Sequence, residues 1–219
     1  MPVDLYREFL ITLILGLYTL LVVFGTKYTY DYFMKKGLPH NVAIYYNRKI
    51  IHMMAGGIVA LVTPLFYTSP LFPVIAALGL GFFLAYFHRK GELLYWFQTK
   101  ENMYEVNFTI AWGISVLILW ILLGDPHLAV LPALFIAFGD AVTGLVRNYL
   151  FAKRTKHWAG NVAMAFLTIP IGFIYGGVIG AVAGLVSSIV ERYEFNPIDD
   201  NVLIALASSL ILISAPLLS

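Results

Sequence analysis

The stretch LFIAFGDAVTGLVRN, residues 134–148, places an acid inside an apolar run. A carboxylate such as Asp140 costs about 2.5 to 3.5 kcal/mol in a membrane helix, so intramembrane acids usually face a partner or a polar cavity. The simplest partner is Arg147, two turns along the same helix face, which would make Asp140 a structural ion-pair residue. Whether Asp140 is structural or functional therefore depends on what surrounds it.

The surroundings of Asp140 favour a functional acid. Gly139 and Gly144 leave the backbone bare beside the carboxylate. Three cations follow at once along the chain, namely Lys153, Arg154 and Lys156. An acid, exposed backbone and a group of cations together indicate a site for a metal-bound phosphate group.

The composition indicates a polytopic membrane protein. Of the 219 residues, 60% are hydrophobic and only 12% are charged, with a mean hydropathy of +0.83. Such a composition is outside the range of soluble domains. The absence of cysteine excludes disulfides and thiolate metal sites, and no nucleic-acid partner is expected. No linker or low-complexity tract divides the chain, so residues 1–219 are interpreted as one domain.

Hydropathy predicts an all-α helical bundle with about seven to eight transmembrane helices, since each crossing needs about 20 apolar residues. The predicted helices lie near 5–26, 49–67, 70–87, 105–123, 127–149, 159–175, 176–192 and 201–218. The sixth and seventh adjoin with almost no loop. They form either a tight hairpin or one long helix kinked around Pro170. Glycines recur there at intervals of four, at Gly172, Gly176, Gly180 and Gly184, and this spacing favours close helix packing.

The placement of lysine and arginine predicts the orientation. If the amino terminus is outside and the chain crosses eight times, the inner loops hold all the lysines and arginines except Arg7. The polar candidates then share the cytoplasmic face. The largest inner loop, 27–48, suits an amphipathic segment in the interface or an aromatic belt with snorkelling lysines. The small size favours the cell membrane of a prokaryote.

A second group of candidates begins the second predicted helix, in NRKIIHMMAGG from Asn47. Arg48 lies four residues and Lys49 three residues before His52, so all three can converge on one helix face. Three donors there can hold polyphosphate oxygens. The alternative is that the two cations are ordinary topology signals and that the histidine is hydrogen-bonded to a neighbour.

Two further segments carry candidates on the same predicted face. In KRTKHWAGNVAM, residues 153–164, Gly160 lets backbone approach a ligand and Lys156 can reach a phosphate. The segment ERYEFNPIDDN, residues 191–201, contains the candidate acids Glu191, Asp199 and Asp200 and the candidate amide Asn201. The last three can cap the final helix, but this many carboxylates can also hold Mg²⁺.

In chain order these pieces resemble the CTP-dependent lipid alcohol kinases, the family of dolichol kinase, phytol kinase and the CTP-dependent diacylglycerol kinase. The pieces are Arg48-Lys49-x-x-His52, Gly139-Asp140, Lys156-x-Trp158-Ala159-Gly160, and Glu191 with Asp199-Asp200-Asn201. The resemblance covers roughly 45–215 and is closest to the phytol kinase-like branch in WAGNVAM and IDDN. One departure is His157, where the family usually has serine or threonine.

The resemblance implies transfer of the γ-phosphate of CTP to a long-chain isoprenoid alcohol, such as a polyprenol, dolichol, phytol or geranylgeraniol, with Mg²⁺. Asp140 and Asp200 would bind the metal, with Asp199 or Glu191 assisting. The base would be His52 or a carboxylate. The nucleotide and its phosphates would contact Arg48, Lys49, Arg147, Lys156, Gly139, Gly144, Gly160 and Asn201. The lipid tail would lie between helices in the bilayer.

Two other functions remain open. A CTP-dependent cytidylyltransferase would use a similar set of groups to make a CDP-activated lipid and would release pyrophosphate. An ion-coupled transporter would use Asp140 and Glu191 as coupling groups and predicts an inverted repeat with polar residues deep in several helices. The predicted gathering of polar groups at one membrane face disfavours the transporter. The absence of a Gly-x-x-x-x-Gly-Lys-Ser/Thr loop argues against a P-loop kinase.

Overall fold

The protein is built from helices. A computed structural model describes residues 4–151, 155–195 and 198–214. The helices are α1 (Leu5–Lys35), α2 (His40–Ile51), α3 (Ile58–Phe66), α4 (Leu71–Lys90), α5 (Tyr104–Leu123), α6 (Pro126–Ala129), α7 (Leu131–Leu134), α8 (Asp140–Phe151), α9 (Trp158–Val190) and α10 (Asp200–Ser214). The predicted all-α class is confirmed.

Six helical segments are long and apolar enough to cross a membrane, which is the pattern of a multi-pass membrane protein. They are Leu5–Lys35, His40–Phe66, Leu71–Lys90, Tyr104–Leu123, Pro126–Phe151 and Trp158–Val190, and the shorter apolar helix Asp200–Ser214 follows. The segment Pro126–Phe151, which carries Asp140, is the most buried of the six, and Leu5–Lys35 is the least buried. The acid singled out from the sequence thus lies on the segment that the other helices enclose most.

The predicted bounds of the first two long helices are wrong around residues 27–48, because most of this stretch is helical. Helix α1 continues to Lys35 and α2 begins at His40, so only residues 36–39 join them. The aromatic and polar residues of this stretch hold the two helices together. The Thr29 hydroxyl donates to Asn47 Oδ1 at 2.7 Å, and the Tyr30 hydroxyl lies 2.6 Å from His40 Nδ1.

Segment 158–190 folds back on itself, which resolves the sequence alternatives in favour of a hairpin. The turn is at Gly176 and Gly177, and Gly177 has a positive φ of 58°. Across the hairpin, the Thr168 hydroxyl donates to the Gly184 carbonyl oxygen at 2.8 Å. A Cβ on Gly172 would overlap the Gly180 backbone, so the small residues permit close packing of the two limbs, as the four-residue spacing predicted.

Two π-helical segments interrupt the helices beside the candidate residues. One covers His52–Gly57 between α2 and α3, and the other covers Phe135–Gly139 between α7 and α8. They pack against each other, and a Cβ on Gly57 would overlap the Phe138 ring. Single π-helical turns are frequent at functional sites, because the extra residue turns side chains onto a new face.

Candidate functional site

Three carboxylates from three separate elements meet at one end of the bundle. Asp140 begins α8, Glu191 directly follows α9, and Asp200 begins α10. Each offers one oxygen, and these oxygens all lie within 4.8 Å of one another. We call these three residues the acid cluster. Oxygen ligands at this separation suit a hard divalent cation such as Mg²⁺.

Each member of the acid cluster is paired with a cation. Lys49 Nζ lies 2.5 Å from Asp140 Oδ2, and Lys156 Nζ lies 2.7 Å from Asp200 Oδ2. The Arg147 guanidinium donates to both oxygens of Glu191, at 2.7 Å each. Three positive charges therefore balance three negative charges, which is how buried charge is tolerated.

Arg147 is fixed by contacts on every side. Besides Glu191, its guanidinium donates to the His157 carbonyl oxygen at 2.9 Å and to Asn161 Oδ1 at 2.8 Å. Gly160 makes room for it, since a Cβ there would overlap the Arg147 side chain. The fixed planar fork holds Glu191 in one orientation.

Lys156 links the two acids that lie outside the membrane-spanning segments. Its ammonium donates to the Glu191 carbonyl oxygen at 2.8 Å and lies 3.3 Å from Glu191 Oε1. Burial lowers the pKa of Lys156, but Asp200 and Glu191 outweigh that effect and raise it above its usual value. Burial raises the pKa of the Glu191 carboxyl, although Arg147 and Lys156 oppose the shift. Lys156 thus stays charged beside the acids.

The acid cluster lines a cavity of about 40 Å³. In the same measure, one water molecule needs about 10–15 Å³, so the cavity has room for an ion with a few waters. The cavity is lined by Tyr45, Arg48, Lys49, His52, Tyr104, Asp140, Arg147, Thr155, Lys156, Glu191, Asp200 and Asn201. Four of these described residues carry a positive charge. Lys49, Arg147 and Lys156 each form an ion pair with a carboxylate, and Arg48 does not.

His52 stands beside Asp140 in this cavity. Its Nδ1 lies 3.5 Å from Asp140 Oδ2, and its ring stacks on Phe108 with centroids 4.0 Å apart. Within the part of the chain that the structure describes, this buried nitrogen has no hydrogen-bond partner. The stacked ring is therefore held in place with a nitrogen available near the acid.

The ion pair suggested between Asp140 and Arg147 is not formed, because each residue has another partner. Arg147 binds Glu191, and Asp140 is paired with Lys49, 91 positions away in the chain. Both residues lie on α8, but helix packing turns them to different partners. Asp140 is thus one of several acids at a shared cavity.

Several predicted residues lie elsewhere or act differently. Gly139 packs against Met164 and Thr168, which is contact between helices, and Gly160 faces Arg147. Neither glycine therefore presents bare backbone to the acid cluster, and the prediction that they would do so is wrong. Gly144 does lie near the site, because a Cβ there would overlap Tyr45 and Lys49.

Asp199 and Asn201 take different roles from those of Asp200. The Asp199 carboxylate accepts from the Val202 N–H at 3.1 Å and from the Asn201 amide at 3.2 Å, so it caps α10 and stands outside the acid cluster. Asn201 also lines the cavity. The predicted cations Lys153 and Arg154 both lie outside the described residues.

Sequence reasoning missed several residues of the site. Tyr45 lies four residues before Lys49 on the same helix face, a spacing that gave a usable signal. Asn161, which fixes both Arg147 and Glu191, stands in the motif next to Gly160. Tyr104 and Thr155 reach the cavity only through the packing of α5 and the segment before α9, and nothing in their sequence context marks them.

Comparison of the chain with protein-family models, curated proteins and solved structures finds no match. The site is therefore interpreted from its own geometry.

Proposed function

We propose that this protein is a CTP-dependent kinase of a long-chain lipid alcohol. The observation that carries the proposal is the acid cluster, with three carboxylate oxygens within 4.8 Å of one another at a cavity that four cations also line. Phosphoryl transfer needs mainly positioning and charge neutralisation, which such a constellation supplies. The choice of CTP and of an isoprenoid alcohol depends on the sequence resemblance.

The residues have complementary roles in this proposal. Asp140, Asp200 and Glu191 would hold Mg²⁺, which when bound neutralises charge on the β- and γ-phosphates. Lys49, Lys156 and Arg147 lie beside these acids, and Arg48 brings a positive charge that no carboxylate neutralises among the described residues. A triphosphate would find both a metal and excess positive charge in one cavity.

The chemical step joins the alcohol oxygen to the γ-phosphorus. The hydroxyl proton passes to a base, the new O–P bond forms, and the bond from the γ-phosphorus to the bridging oxygen breaks to release CDP. His52 lines the cavity with a nitrogen 3.5 Å from Asp140 that has no hydrogen-bond partner among the described residues, and it is placed to accept that proton. A carboxylate of the acid cluster is the other candidate base.

The proposal includes a membrane orientation. We infer eight crossings, counting both limbs of α9 and the shorter α10, with both termini outside and the site facing the cytoplasm of a prokaryotic cell. The charge distribution of the loops supports this orientation. The lipid tail would lie between helices in the bilayer with its hydroxyl at the cavity.

The test is phosphate transfer by the purified protein in detergent. The protein is incubated with γ-labelled CTP, Mg²⁺ and a panel of geranylgeraniol, phytol, a dolichol and diacylglycerol. Labelled lipid together with CDP establishes the kinase and identifies the preferred alcohol. The Asp200→Asn variant is the control for contaminating kinases.

Two outcomes contradict the kinase. Pyrophosphate release with a phosphatidate-type acceptor and transfer of the cytidylyl group would show a cytidylyltransferase. No nucleotide turnover with any acceptor, combined with ion-dependent solute uptake into proteoliposomes, would show a transporter.

A further inference from the structure

A second cavity adjoins the acid cluster. It has a volume of about 290 Å³, close to the lower end of about 300–1,000 Å³ for small-molecule pockets. It borders the first cavity, because both are lined by Tyr45, Arg48, Tyr104, Arg147 and Thr155. Space for an organic group therefore lies directly beside the place assigned to metal and phosphate.

The second cavity has a mixed lining, in which apolar surface predominates and includes Val42 and Ile44. Polar groups at helix ends stand beside it. They come from the first turn of α2, the segment before α5 and the end of α8, and include Asn41, Thr99, Glu101, Asn102 and Asn148. A flat heteroaromatic group has apolar faces and an edge of donors and acceptors, so a lining of this kind suits it.

The buried Thr99 hydroxyl, which lines this cavity, has no hydrogen-bond partner among the described residues. Asn148 lines the cavity too and is only 8% exposed, and no hydrogen bond links its side chain to another described residue. Buried polar side chains are nearly always hydrogen-bonded in folded proteins. Its amide offers an adjacent donor and acceptor, a pattern that matches the edge of a nucleobase.

Aromatic rings stand where the two cavities join. The Arg48 guanidinium lies 4.8 Å from the centre of the Tyr104 ring and 6.0 Å from that of Tyr45. Arg48 is also held by Asn102, whose Oδ1 accepts from it at 3.2 Å. A flat charged group between two rings provides stacking surface for a base on one side and charge for a phosphate on the other.

We propose that the second cavity holds the nucleoside of the phosphoryl donor, with Asn148 hydrogen-bonded to it and Arg48 at its junction with the phosphate chain. This inference rests on the proposed function, because it assigns the nucleoside part of that donor. It places the triphosphate against the acid cluster and the base and ribose between α2, α8 and the segment before α5. Asn148 is a specificity residue in this arrangement and takes no part in the chemistry.

The test compares CTP with inorganic triphosphate, which has the phosphates but no nucleoside. Binding of each to the full chain in detergent with Mg²⁺ is measured by calorimetry. Wild type should bind CTP at least about tenfold more tightly than triphosphate. Asn148→Leu should weaken CTP binding about tenfold and leave triphosphate binding within twofold. In turnover, the KM for CTP should rise while kcat and the KM for the lipid stay unchanged.

Two further variants keep the result interpretable. Tyr149→Ala changes the next residue, which is 87% exposed and does not line the cavity, and should bind both ligands like wild type. Asn41→Leu changes an exposed lining residue, so it should fold normally and weaken CTP binding about threefold without changing triphosphate binding.

The outcomes separate the two proposals. If Asn148→Leu and Asn41→Leu both bind CTP like wild type, or if wild type binds triphosphate as tightly as CTP, the nucleoside assignment is wrong while transfer from CTP still supports the kinase. If wild type binds neither ligand and labels no lipid, both proposals fail. An equal loss of CTP and triphosphate binding in Asn41→Leu would also overturn the nucleoside assignment.

Discussion

Two of the places where this molecule buries carboxylates solve the problem in different ways. Glu8, which is 1% exposed, accepts hydrogen bonds at 2.7 Å from the Thr68 N–H and at 2.6 Å from its hydroxyl, and Ser69 contributes at 3.2 Å. These donors come from one short connection before α4. The acid cluster at the other end of the bundle draws Lys49, Arg147 and Lys156 from three separate segments.

The difference indicates that the two acid sites have different roles. Neutral donors from one connection satisfy Glu8 and fix α1 against α4, which is a structural role. The acid cluster balances several charges around a cavity. The desolvation of these charges costs more free energy than a structural contact with neutral donors would. Substitutions at the two ends should therefore separate activity from stability.

The largest effect is expected at Asp200, with its neighbour Asp199 as the matched control. Asp200→Asn removes a cluster oxygen and should lower lipid phosphorylation by at least about 100-fold, with little change in Tm because the residue is only partly buried. Asp199→Asn keeps an α10 cap and should retain kcat within a few-fold. Equal activity in the two variants would contradict the assignment of Asp200 to the acid cluster and of Asp199 to the cap of α10.

Asp140→Asn should abolish activity as Asp200→Asn does. The amide oxygen of the variant can still accept from Lys49, so the protein should still insert and purify. Wild-type turnover in both variants would exclude the metal assignment.

The next effect concerns the Arg147–Glu191 pair. Arg147→Met leaves Glu191 buried without its main partner and should destabilise the protein by about 3–5 kcal/mol, lowering Tm on the order of 10 °C. The double variant Arg147→Met/Glu191→Met should recover much of that Tm while activity stays absent. Recovery of activity along with stability would mean that the pair only supports the fold. Thermal melts and turnover on the same preparations measure both.

A smaller effect should appear in the pH dependence of stability. Burial, with repulsion from Asp200, raises the pKa of the Asp199 carboxyl to about 6 from 3.8. Because the folded state binds this proton more tightly than the unfolded state, stability is greatest at low pH and falls as pH rises through about 4 to 6. With EDTA present, this group should lower Tm by about 5 °C between pH 4.5 and 7. Asp199→Asn should remove that part of the pH dependence, and an unchanged profile would contradict it.

The smallest effect is expected at the opposite end of the bundle. Glu8→Gln keeps an oxygen for the Thr68 donors, so Tm should shift by only a few degrees and activity should be unchanged. Glu92→Ala, at an exposed position, should change neither quantity. A large loss of turnover in Glu8→Gln would mean that the two ends are coupled and that the comparison fails.

Much of the fold and part of the site could be predicted from the sequence. Apolar length predicted the helices, and the four-residue glycine spacing predicted close packing in α9. The intramembrane acid Asp140 and the acids Glu191 and Asp200 were identified because charge is expensive in an apolar chain. Helix bounds over 27–48 were wrong, since aromatic residues and lysines suit an interface loop and a packed helix equally well.

The helical class, the glycines that allow the hairpin and the identity of the charged groups follow from the order of the amino acids. The partners of the charged groups follow from the packing of the helices, which pairs Lys49 with Asp140 and Arg147 with Glu191. The same packing lets Asp199 cap a helix while Asp200 lines the cavity. The physical reason is that apolar helices in a membrane have similar surfaces, so periodicity does not specify neighbours. The π-helical segments beside His52 and Asp140 then set which face each side chain occupies.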